Sequence, residues 1–347
     1  MPRVFYIVLI ASCLAAASLL GQVTTPEPET FLRKQLAFTP YELGVLEKGQ
    51  IIAKLPKTPE TREIAAFAIM RLDIPTDFFI DKVHDIVTFK KSDNVLQIGK
   101  FSNPPRLEDL AGLTLDPAEI EAIRRCRINR CELKMSAQSI ERFRKEVNWS
   151  MPSYRERTTA LAREMLLEYV QAYLRKGNAA LGEYNDKTNT VRLADEFQSL
   201  LQPAPYMYEY VPEFQKYLLE FPNGRPDGAE DFIYWSKEKF GLKPVVSVTH
   251  ITIYKLQRPN STDVLIASKG IYANHYFEAS LGLTGFIQSQ ASPVPHSYLI
   301  YINRSRTDAL RGLLAGLKRS LISGSLRDGA KKNMELIKEK LEADYRK

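Results

Sequence analysis

The part of the sequence that most constrains the fold is a series of three extended segments between residues 245 and 303. The segments read VVSVTHITIY, DVLIASKGIYANHYFEASLGLTGFI and SYLIYIN, with the turn sequences PNST and ASPVPH between them. Extended segments that are rich in β-branched residues and joined by short turns predict an antiparallel meander. A helix is predicted to follow from about Thr307, because leucines recur on one stripe at positions 310, 313, 314, 317 and 321.

The longest extended segment has two different faces when its residues are counted by twos. One face is apolar and consists of Leu265, Ala267, Ile271, Ala273, His275, Phe277, Ala279, Leu281 and Leu283. The other face is mixed and consists of Ser268, Tyr272, Asn274, Tyr276, Glu278, Ser280 and Thr284. This pattern is typical of a sheet with one face toward an interior, and glycines at 270, 282 and 285 are places where such a sheet can bend. In the following helix Gly312, Gly316 and Ser320 form a strip of small residues, which favours close approach to a neighbour.

The rest of the chain is predicted to be strand, helix and a helical middle. Residues 63 to 72 indicate a strand, Pro75 and Thr76 open a helix, and residues 86 to 101 are predicted to be extended. The middle contains helix caps at Asp116 and Ser136 and a helix stop at Gly177, with a final charged helix after residues 323 to 325.

The fold class is therefore α+β, with a curved antiparallel sheet gripping a long C-terminal helix. We divide the chain into a signal peptide over residues 1–21, an irregular tether over 22–48 and a single domain over 49–345. A helical insertion occupies about residues 106–228 of that domain.

This order of elements resembles the START-like helix-grip superfamily of hydrophobic-ligand carriers. The resemblance covers roughly residues 50 to 100 and 230 to 345, and it is one of topology without a signature motif. The long helical middle departs from the compact plan of the superfamily. The blocks HYFEASLGLTGF and YLIYINRSRTDALRG are also similar to exported bacterial proteins of no known function.

The resemblance implies a lipid or other hydrophobic small molecule, bound in a cavity between the sheet and the C-terminal helix. The expected ligand-binding residues are His275, Phe277, Leu281, Ile300, Arg304, Arg306, Leu313 and Gly316. The same side chains can instead fill a solid core, because periodicity does not distinguish packed atoms from empty space. Two other functions stay open, namely an enzyme that uses His275 in such a cavity and a non-catalytic scaffold of the cell envelope.

The first 21 residues, MPRVFYIVLIASCLAAASLLG, have the three regions of a secretory signal. We expect cleavage between Ala17 and Gln22 and an exported protein, either periplasmic or secreted. Two alternatives remain: a lipoprotein through Cys13, or an uncleaved anchor, since Val4 to Leu20 is about as long as the shortest membrane-spanning helices.

Charge and cysteine usage narrow the class of partner. The chain has 48 Lys and Arg against 41 Asp and Glu, a mild and interspersed excess that does not indicate a nucleic-acid binder. A basic stripe of Arg311, Lys318 and Arg319 permits peripheral membrane contact. Behind the leader only Cys126 and Cys131 remain, in CRINRC, and in an oxidising compartment they are expected to form a small disulfide ring. No metal site or cofactor is predicted.

The candidates for chemistry are two histidines and a group of arginines. His275 lies among apolar residues, where a histidine is either a general base or a hydrogen-bonded core residue. His250, beside Thr252 and Tyr254, has the same two interpretations. Arg304 and Arg306 either bind an anionic headgroup near a helix start or form salt bridges with nearby acids, while Asp308 suits the first helical turn. No phosphate-binding loop or nucleophile elbow is present, so enzyme function is not favoured.

Overall fold

The core of the protein is a large antiparallel sheet, seen in a computed structural model that describes residues 28–202, 211–240, 243–257, 262–289, 296–310 and 315–347. Ten strands are present in these ranges: β1 Ile52–Lys54, β2 Glu63–Leu72, β3 Val95–Lys100, β4 Glu183–Tyr184, β5 Val191–Arg192, β6 Ala229–Phe240, β7 Lys243–Gln257, β8 Thr262–Ala273, β9 Phe277–Ser289 and β10 His296–Thr307. Eight of them form one sheet in the order β1-β2-β10-β9-β8-β7-β6-β3, while β4 and β5 form a separate hairpin.

Ten α-helices surround this sheet in the described ranges. They are α1 Pro28–Leu36, α2 Pro40–Glu47, α3 Thr76–His84, α4 Ile86–Lys90, α5 Pro117–Arg125, α6 Ala137–Glu146, α7 Tyr154–Lys176, α8 Leu193–Leu201, α9 Pro212–Glu220 and α10 Ala315–Tyr345. The predicted α+β class, with a large antiparallel sheet and a C-terminal helix packed on it, is confirmed.

One face of the sheet, called here the α10 face, is covered by α3 and α10. Met334 and Leu341 of α10 and Phe79 and Val83 of α3 pack against apolar side chains of the sheet. The sheet residues of this cluster are Ala68, Met70, Leu72, Tyr234, Ile251, Ile253, Val264, Ile266, Phe286 and Leu299. At this part of the α10 face the core is filled with side chains.

The opposite face, called here the insertion face, is covered by the helical middle and by the N-terminal helices. Helix α7 packs on β6 and β7 through Val170 and Tyr173, and α8 packs on β8 and β9 through Phe197 and Leu200. Alternating sheet residues therefore enter separate cores on the two faces, as the strand period of two requires. The sheet is the middle layer between two layers of helices.

Residues 28–47 form two helices in place of the irregular tether predicted for 22–48. Thr39 caps α2, since its hydroxyl accepts from the Glu42 amide and the Glu42 carboxylate accepts from the Thr39 amide. Leu32 and Leu46 are buried against Ile69 and Ile300 of the sheet. Capping and apolar burial together order this segment. The predicted signal peptide over residues 1–21 lies outside the described residues.

Three element predictions differ from the structure. The long extended segment is a hairpin, because β8 ends at Ala273 and Tyr276 takes a positive φ of 60° in the turn before β9. The extended run predicted for 86–101 begins with α4, which Asp85 caps through the Thr88 amide. The two predicted C-terminal helices are one continuous helix through residues 323–325.

None of the helices in the described ranges has the length and apolar character of a membrane-spanning segment.

Candidate functional site

Helix α10 runs along the sheet in the direction opposite to β10. It begins shortly after the 3₁₀ turn Asp308–Leu310, which directly follows the Thr307 end of β10. Its later residue Met334 packs in the same cluster as Met70 and Leu299, which are paired near the start of β10. The first half of α10 is therefore near the Thr307 end of the sheet, and the second half covers the filled core.

At this Thr307 end, the α10 face of strands β7 to β10 consists of small and polar residues. Ser268 and Gly270 follow Ile266 by twos along β8, and Ile266 belongs to the core that α10 covers. Register pairing places Ser305, Ser280, Gly270 and Thr249 side by side in one row. We call this surface the small-residue floor: Ser247, Thr249, Ser268, Gly270, Ser280, Gly282, Asn303 and Ser305.

Hydrogen bonds and Gly282 give the floor its shape. The Ser305 hydroxyl lies 2.8 Å from Asn303 Oδ1 and 3.1 Å from the Ser280 hydroxyl. A Cβ on Gly282 would lie 3.4 Å from the Ser268 Cβ and 3.6 Å from the Tyr301 ring, which is ordinary contact distance. Space for a side chain therefore exists at Gly282 but is not used, and the floor is lower there.

The two sides of these strands differ in exposure. Thr249, Ser268 and Ser280 on the floor are half-buried. Their immediate neighbours His250, Lys269 and Leu281 point to the insertion face and are 2% exposed each. The central strands are therefore more deeply buried on the insertion face than at Thr249, Ser268 and Ser280 of the floor.

A group of polar residues marks the boundary between the floor and the filled core. Burial raises the pKa of Tyr301, whose hydroxyl is hydrogen-bonded to Asn303. Lys90 Nζ lies 2.8 Å from Glu238 Oε1 and 3.3 Å from the Tyr234 hydroxyl. Burial opposes the charge on Lys90, but Tyr234 and Glu238 outweigh it and raise the pKa of the ammonium group. The ammonium group of Lys90 therefore carries its charge at neutral pH.

Two predicted ligand-binding residues lie on the insertion face, which is the face opposite α10. Leu281 packs with α8 and α9, and Ile300 packs with α1 and α2. Phe277 is half-buried at the start of β9. Leu313 lies outside the described residues, and Gly316 is in the first turn of α10. Leu281 and Ile300 therefore face away from α10, contrary to the prediction for these two residues.

Arg304 and Arg306 also point to the insertion face, where they form a buried ion-pair network. Arg304 Nε donates to Glu63 Oε1 at 2.6 Å, and Arg304 Nη1 donates to the Leu200 carbonyl at 2.5 Å. Arg306 contacts Glu196 at 2.7 Å and Glu60 at 2.6 Å. The acids come from β2, from the segment before it and from α8, so the arginines join the sheet to the insertion. Their guanidinium groups are engaged by protein carboxylates, which agrees with the structural interpretation.

Asp308 does not act in the first turn of a long helix as the sequence predicted. It lies in the 3₁₀ turn, where its carboxylate contacts Lys134 at 3.0 Å and Lys187 at 2.7 Å. Both lysines belong to the helical middle. This contact fixes the end of β10 to the insertion.

His275 lies in the turn between β8 and β9 and is 5% exposed. Its Nε2 has no hydrogen-bond partner among the described residues, and burial lowers the pKa of its imidazole. No hydroxyl or thiol of the described chain is hydrogen-bonded to the ring, so a catalytic pair is not formed there. The neighbouring Asn274 side chain binds the Val246 amide at 2.8 Å and Glu119 at 2.9 Å, which anchors the turn on the insertion.

His250 forms a better ordered polar cluster than His275. Its Nδ1 is 2.9 Å from the Tyr173 hydroxyl and its Nε2 is 2.9 Å from Asp231 Oδ1, which also accepts from Thr252. Burial lowers the pKa of His250 even though Asp231 opposes this shift. Both ring nitrogens are engaged, so the histidine orients its neighbours and has no free nitrogen for a substrate. The alternation that places His250 and Thr252 on one face was the sequence signal for this cluster.

No family model, curated protein or solved structure matches this chain. The resemblance to the START-like superfamily thus stays a prediction.

The described residues contain one disulfide-bonded pair and no cluster suited to a metal ion. Cys126 and Cys131 lie at disulfide distance, with their Cα atoms 4.4 Å apart. No group of three or more His, Cys, Asp or Glu side chains in the described ranges is placed to hold a metal. The disulfide is compatible with an oxidising compartment.

Lys269 is a buried lysine on the insertion face, and no residue that the structure describes places a carboxylate beside its amino group. It is 2% exposed, its ammonium lies 3.8 Å from the centre of the Phe197 ring, and it is hydrogen-bonded to Asn178 Oδ1. Burial lowers the pKa of Lys269 well below its ordinary value. The unfolded chain therefore binds more protons than the folded chain at every pH between that lowered pKa and about 10.4.

We expect the free energy of unfolding to fall as the pH is lowered through this window, and Lys269→Met to remove most of that fall. The substitution also removes the hydrogen bond to Asn178, but that loss changes little with pH. Urea unfolding of both proteins from alkaline to neutral pH measures the difference in slope. Lys176→Met, at an exposed lysine, is the matched control and should follow the wild-type curve. Parallel curves for Lys269→Met and wild type would show that Lys269 is charged in the folded state.

Proposed function

We propose that this protein is an exported carrier of an amphiphilic small molecule of the lipid class, bound between the small-residue floor and the first half of α10. The observation that carries the proposal is the half-buried row of Ser, Gly, Thr and Asn on strands whose opposite face is fully covered. Small residues in the middle of a large sheet forgo apolar packing that a protein interior normally contains. A bound ligand supplies that packing.

The floor and the helix offer two kinds of contact to such a ligand. Hydroxyl and amide groups at Ser268, Ser280 and Asn303 can donate to and accept from a polar headgroup. The leucine stripe predicted for the first half of α10 is suited to an alkyl chain. Because each buried methylene contributes about 0.8 kcal/mol, micromolar affinity, which corresponds to about 8 kcal/mol, needs roughly ten of them. A long-chain lipid fits this requirement better than a short organic acid.

Export is part of the proposal because the ligand class depends on it. The N-terminal sequence has the regions of a secretory signal, and the Cys126–Cys131 pair suits an oxidising compartment. A water-insoluble molecule outside the cytoplasm needs a protein that covers its apolar surface during transfer.

Ser268→Leu tests the proposed site, since its side chain has no hydrogen-bond partner among the described residues and points over Gly282. The added isobutyl group is expected to occupy the ligand space and to weaken binding on the order of tenfold or more while leaving the fold intact. The measurements are mass spectrometry of lipid extracted from purified protein, and titration with cis-parinaric acid as a fluorescent long-chain probe. Ser92→Leu places the same side chain on an exposed loop and is the control.

The proposal fails if wild-type protein contains no extractable lipid and does not bind the probe. It also fails if Ser268→Leu binds the probe as tightly as wild type, because the ligand is then elsewhere. A protein partner that co-purifies without any lipid would instead support the scaffold function.

A further inference from the structure

The loop closed by the Cys126–Cys131 disulfide, called here the disulfide loop, carries an unusual combination of exposed residues. Ile128 at its centre is 43% exposed, and it is flanked on both sides by exposed arginines, Arg127 and Arg130. One exposed apolar side chain is ordinary by itself, so the two arginines that flank Ile128 are what distinguish this loop. This loop belongs neither to the floor nor to α10.

The positive charge of the disulfide loop is not neutralised by the protein. Among the described residues, neither Arg127 nor Arg130 has a carboxylate within ion-pair distance. The Arg127 guanidinium donates to the carbonyls of Arg124 and Cys126, at 3.2 and 2.7 Å. The nearby carboxylate of Glu132 is shared between Arg125 at 3.1 Å and Lys243 at 2.8 Å. Arg124 has Glu121 at 3.7 Å, so the excess of positive charge lies on Arg127 and Arg130.

The loop is held in one conformation by contacts at both ends. Besides the disulfide, Arg127 and Arg130 form a short antiparallel bridge, and Asn129 takes a positive φ of 65° between them. The Asn129 amide donates to the Asn185 carbonyl at 2.8 Å, and the Cys131 amide donates to the Asp186 carbonyl at 3.0 Å. A preformed loop loses little conformational entropy when it binds.

Aromatic and apolar residues continue this surface through Arg124. The Arg124 guanidinium lies 5.9 Å from the centre of the Tyr154 ring, and Tyr154 lies 5.8 Å from the Trp149 ring. Met151, in the same turn as Trp149, is 52% exposed. Tryptophan, tyrosine and arginine together are favoured at the boundary between lipid headgroups and acyl chains.

We propose that the disulfide loop docks on an anionic lipid bilayer. Arg127 and Arg130 bind lipid phosphates while Ile128 enters the headgroup region, and Trp149 and Met151 lie at the same interface. Charge complementarity selects an anionic bilayer, because zwitterionic lipids do not attract the unpaired arginines over a distance. This contact goes beyond ligand binding at the floor, and neither proposal depends on the other.

The test uses the full chain and two kinds of vesicle, one of phosphatidylcholine alone and one of phosphatidylcholine mixed with phosphatidylglycerol. Both carry bromine-labelled acyl chains, which quench the fluorescence of a nearby tryptophan. Trp149 is the local reporter, because the second tryptophan, Trp235, is 1% exposed and shielded from lipid. We expect bromine to quench Trp149 on mixed vesicles, with weaker binding as salt is added. The N-terminal apolar residues are common to all variants, so differences between variants report on the loop.

Reversing both charges, in the double variant Arg127→Glu and Arg130→Glu, is expected to weaken binding on the order of tenfold or more. Ile128→Asp is expected to abolish quenching of Trp149. Leu107→Asp is the matched control for Ile128, since Leu107 is 42% exposed on another surface, and Arg192→Glu is the matched control for charge. Trp149→Phe confirms the origin of the signal.

Two outcomes would overturn the proposal. In the first, the loop variants bind mixed vesicles as tightly as Leu107→Asp and Arg192→Glu do. In the second, the wild-type protein binds vesicles but bromine leaves the emission of Trp149 unchanged, which places the membrane contact elsewhere.

Discussion

Replacing Glu63 with alanine is expected to lower the free energy of unfolding by about 3–5 kcal/mol, the usual cost of removing one member of a buried ion pair. The Glu63 side chain is 0% exposed, and Arg304 contacts its Oε1 through both Nε and Nη2. Arg306 Nε lies 3.8 Å from the second carboxylate oxygen. Removal of Glu63 therefore takes a carboxylate from beside Nε and Nη2 of Arg304, and it removes one acid from beside Arg306.

Chemical denaturation of the purified variants measures this effect. Glu29→Ala is the matched control, because the Glu29–Arg33 pair has the same chemistry at 2.7 Å but the Glu29 side chain is 63% exposed. Solvent screens the Glu29–Arg33 pair, so the denaturation midpoint of Glu29→Ala should be nearly the same as that of the wild-type protein. The double variant Glu63→Leu with Arg304→Leu removes both charges and should recover part of the loss. A loss below about 1 kcal/mol in Glu63→Ala would show that solvent reaches and screens the network.

The partners in this network illustrate what the sequence could not predict. The two arginines were recognisable from the pattern at the end of β10, and salt bridging was one of their two interpretations. Glu63 and Arg304 are 241 residues apart, and Glu196 and Arg306 are 110 residues apart. No local pattern encodes such pairings, because they follow from the strand order of the finished sheet.

Strand propensity and helix caps correctly predicted several strands and helices. The strand over Glu63–Leu72 and the helices that begin behind Pro75, Asp116 and Ser136 agree with the structure because propensity and capping are properties of neighbouring residues. The division of the long extended segment into β8 and β9 was missed. Its turn contains Asn274, His275 and Tyr276, none of which is a strong turn signal in that order.

The sequence also could not predict on which side of the sheet the C-terminal helix lies. Periodicity gave two faces and assigned the apolar one to the helix, which placed Leu281 and Ile300 beneath it. Helices of the insertion cover Leu281 and the N-terminal helices cover Ile300 instead, while α10 packs on the face that carries Ser268 and Ser280. With helices on both faces, apolar alternation cannot identify which helix covers which side. The sequence pattern consequently indicates the small-residue floor only as a mixed polar face.

Replacing Gly177 with alanine is expected to lower the free energy of unfolding by more than about 4 kcal/mol. Gly177 ends α7 with a φ of 57°, a region that side chains other than glycine rarely adopt. A Cβ built there would lie 1.7 Å from the Phe221 carbonyl oxygen. This oxygen accepts from the Asn178 amide at 3.1 Å, so it cannot move away without loss of a hydrogen bond.

Displacement of Phe221 would also disturb the polar cluster beneath it. Its ring lies 5.0 Å from the Tyr173 ring and 4.5 Å from the His250 imidazole, the two residues that join α7 to the sheet.

Thermal unfolding and soluble yield measure the effect of Gly177→Ala. Gly324→Ala is the matched control, because Gly324 is exposed within α10 and a Cβ there would have no atom within 4 Å. Alanine at Gly324 should raise stability by up to about 1 kcal/mol through helix propensity. If both variants behave alike, the tight approach of Phe221 to Gly177 does not determine stability, and the sequence signal at Gly177 was only that of a helix stop.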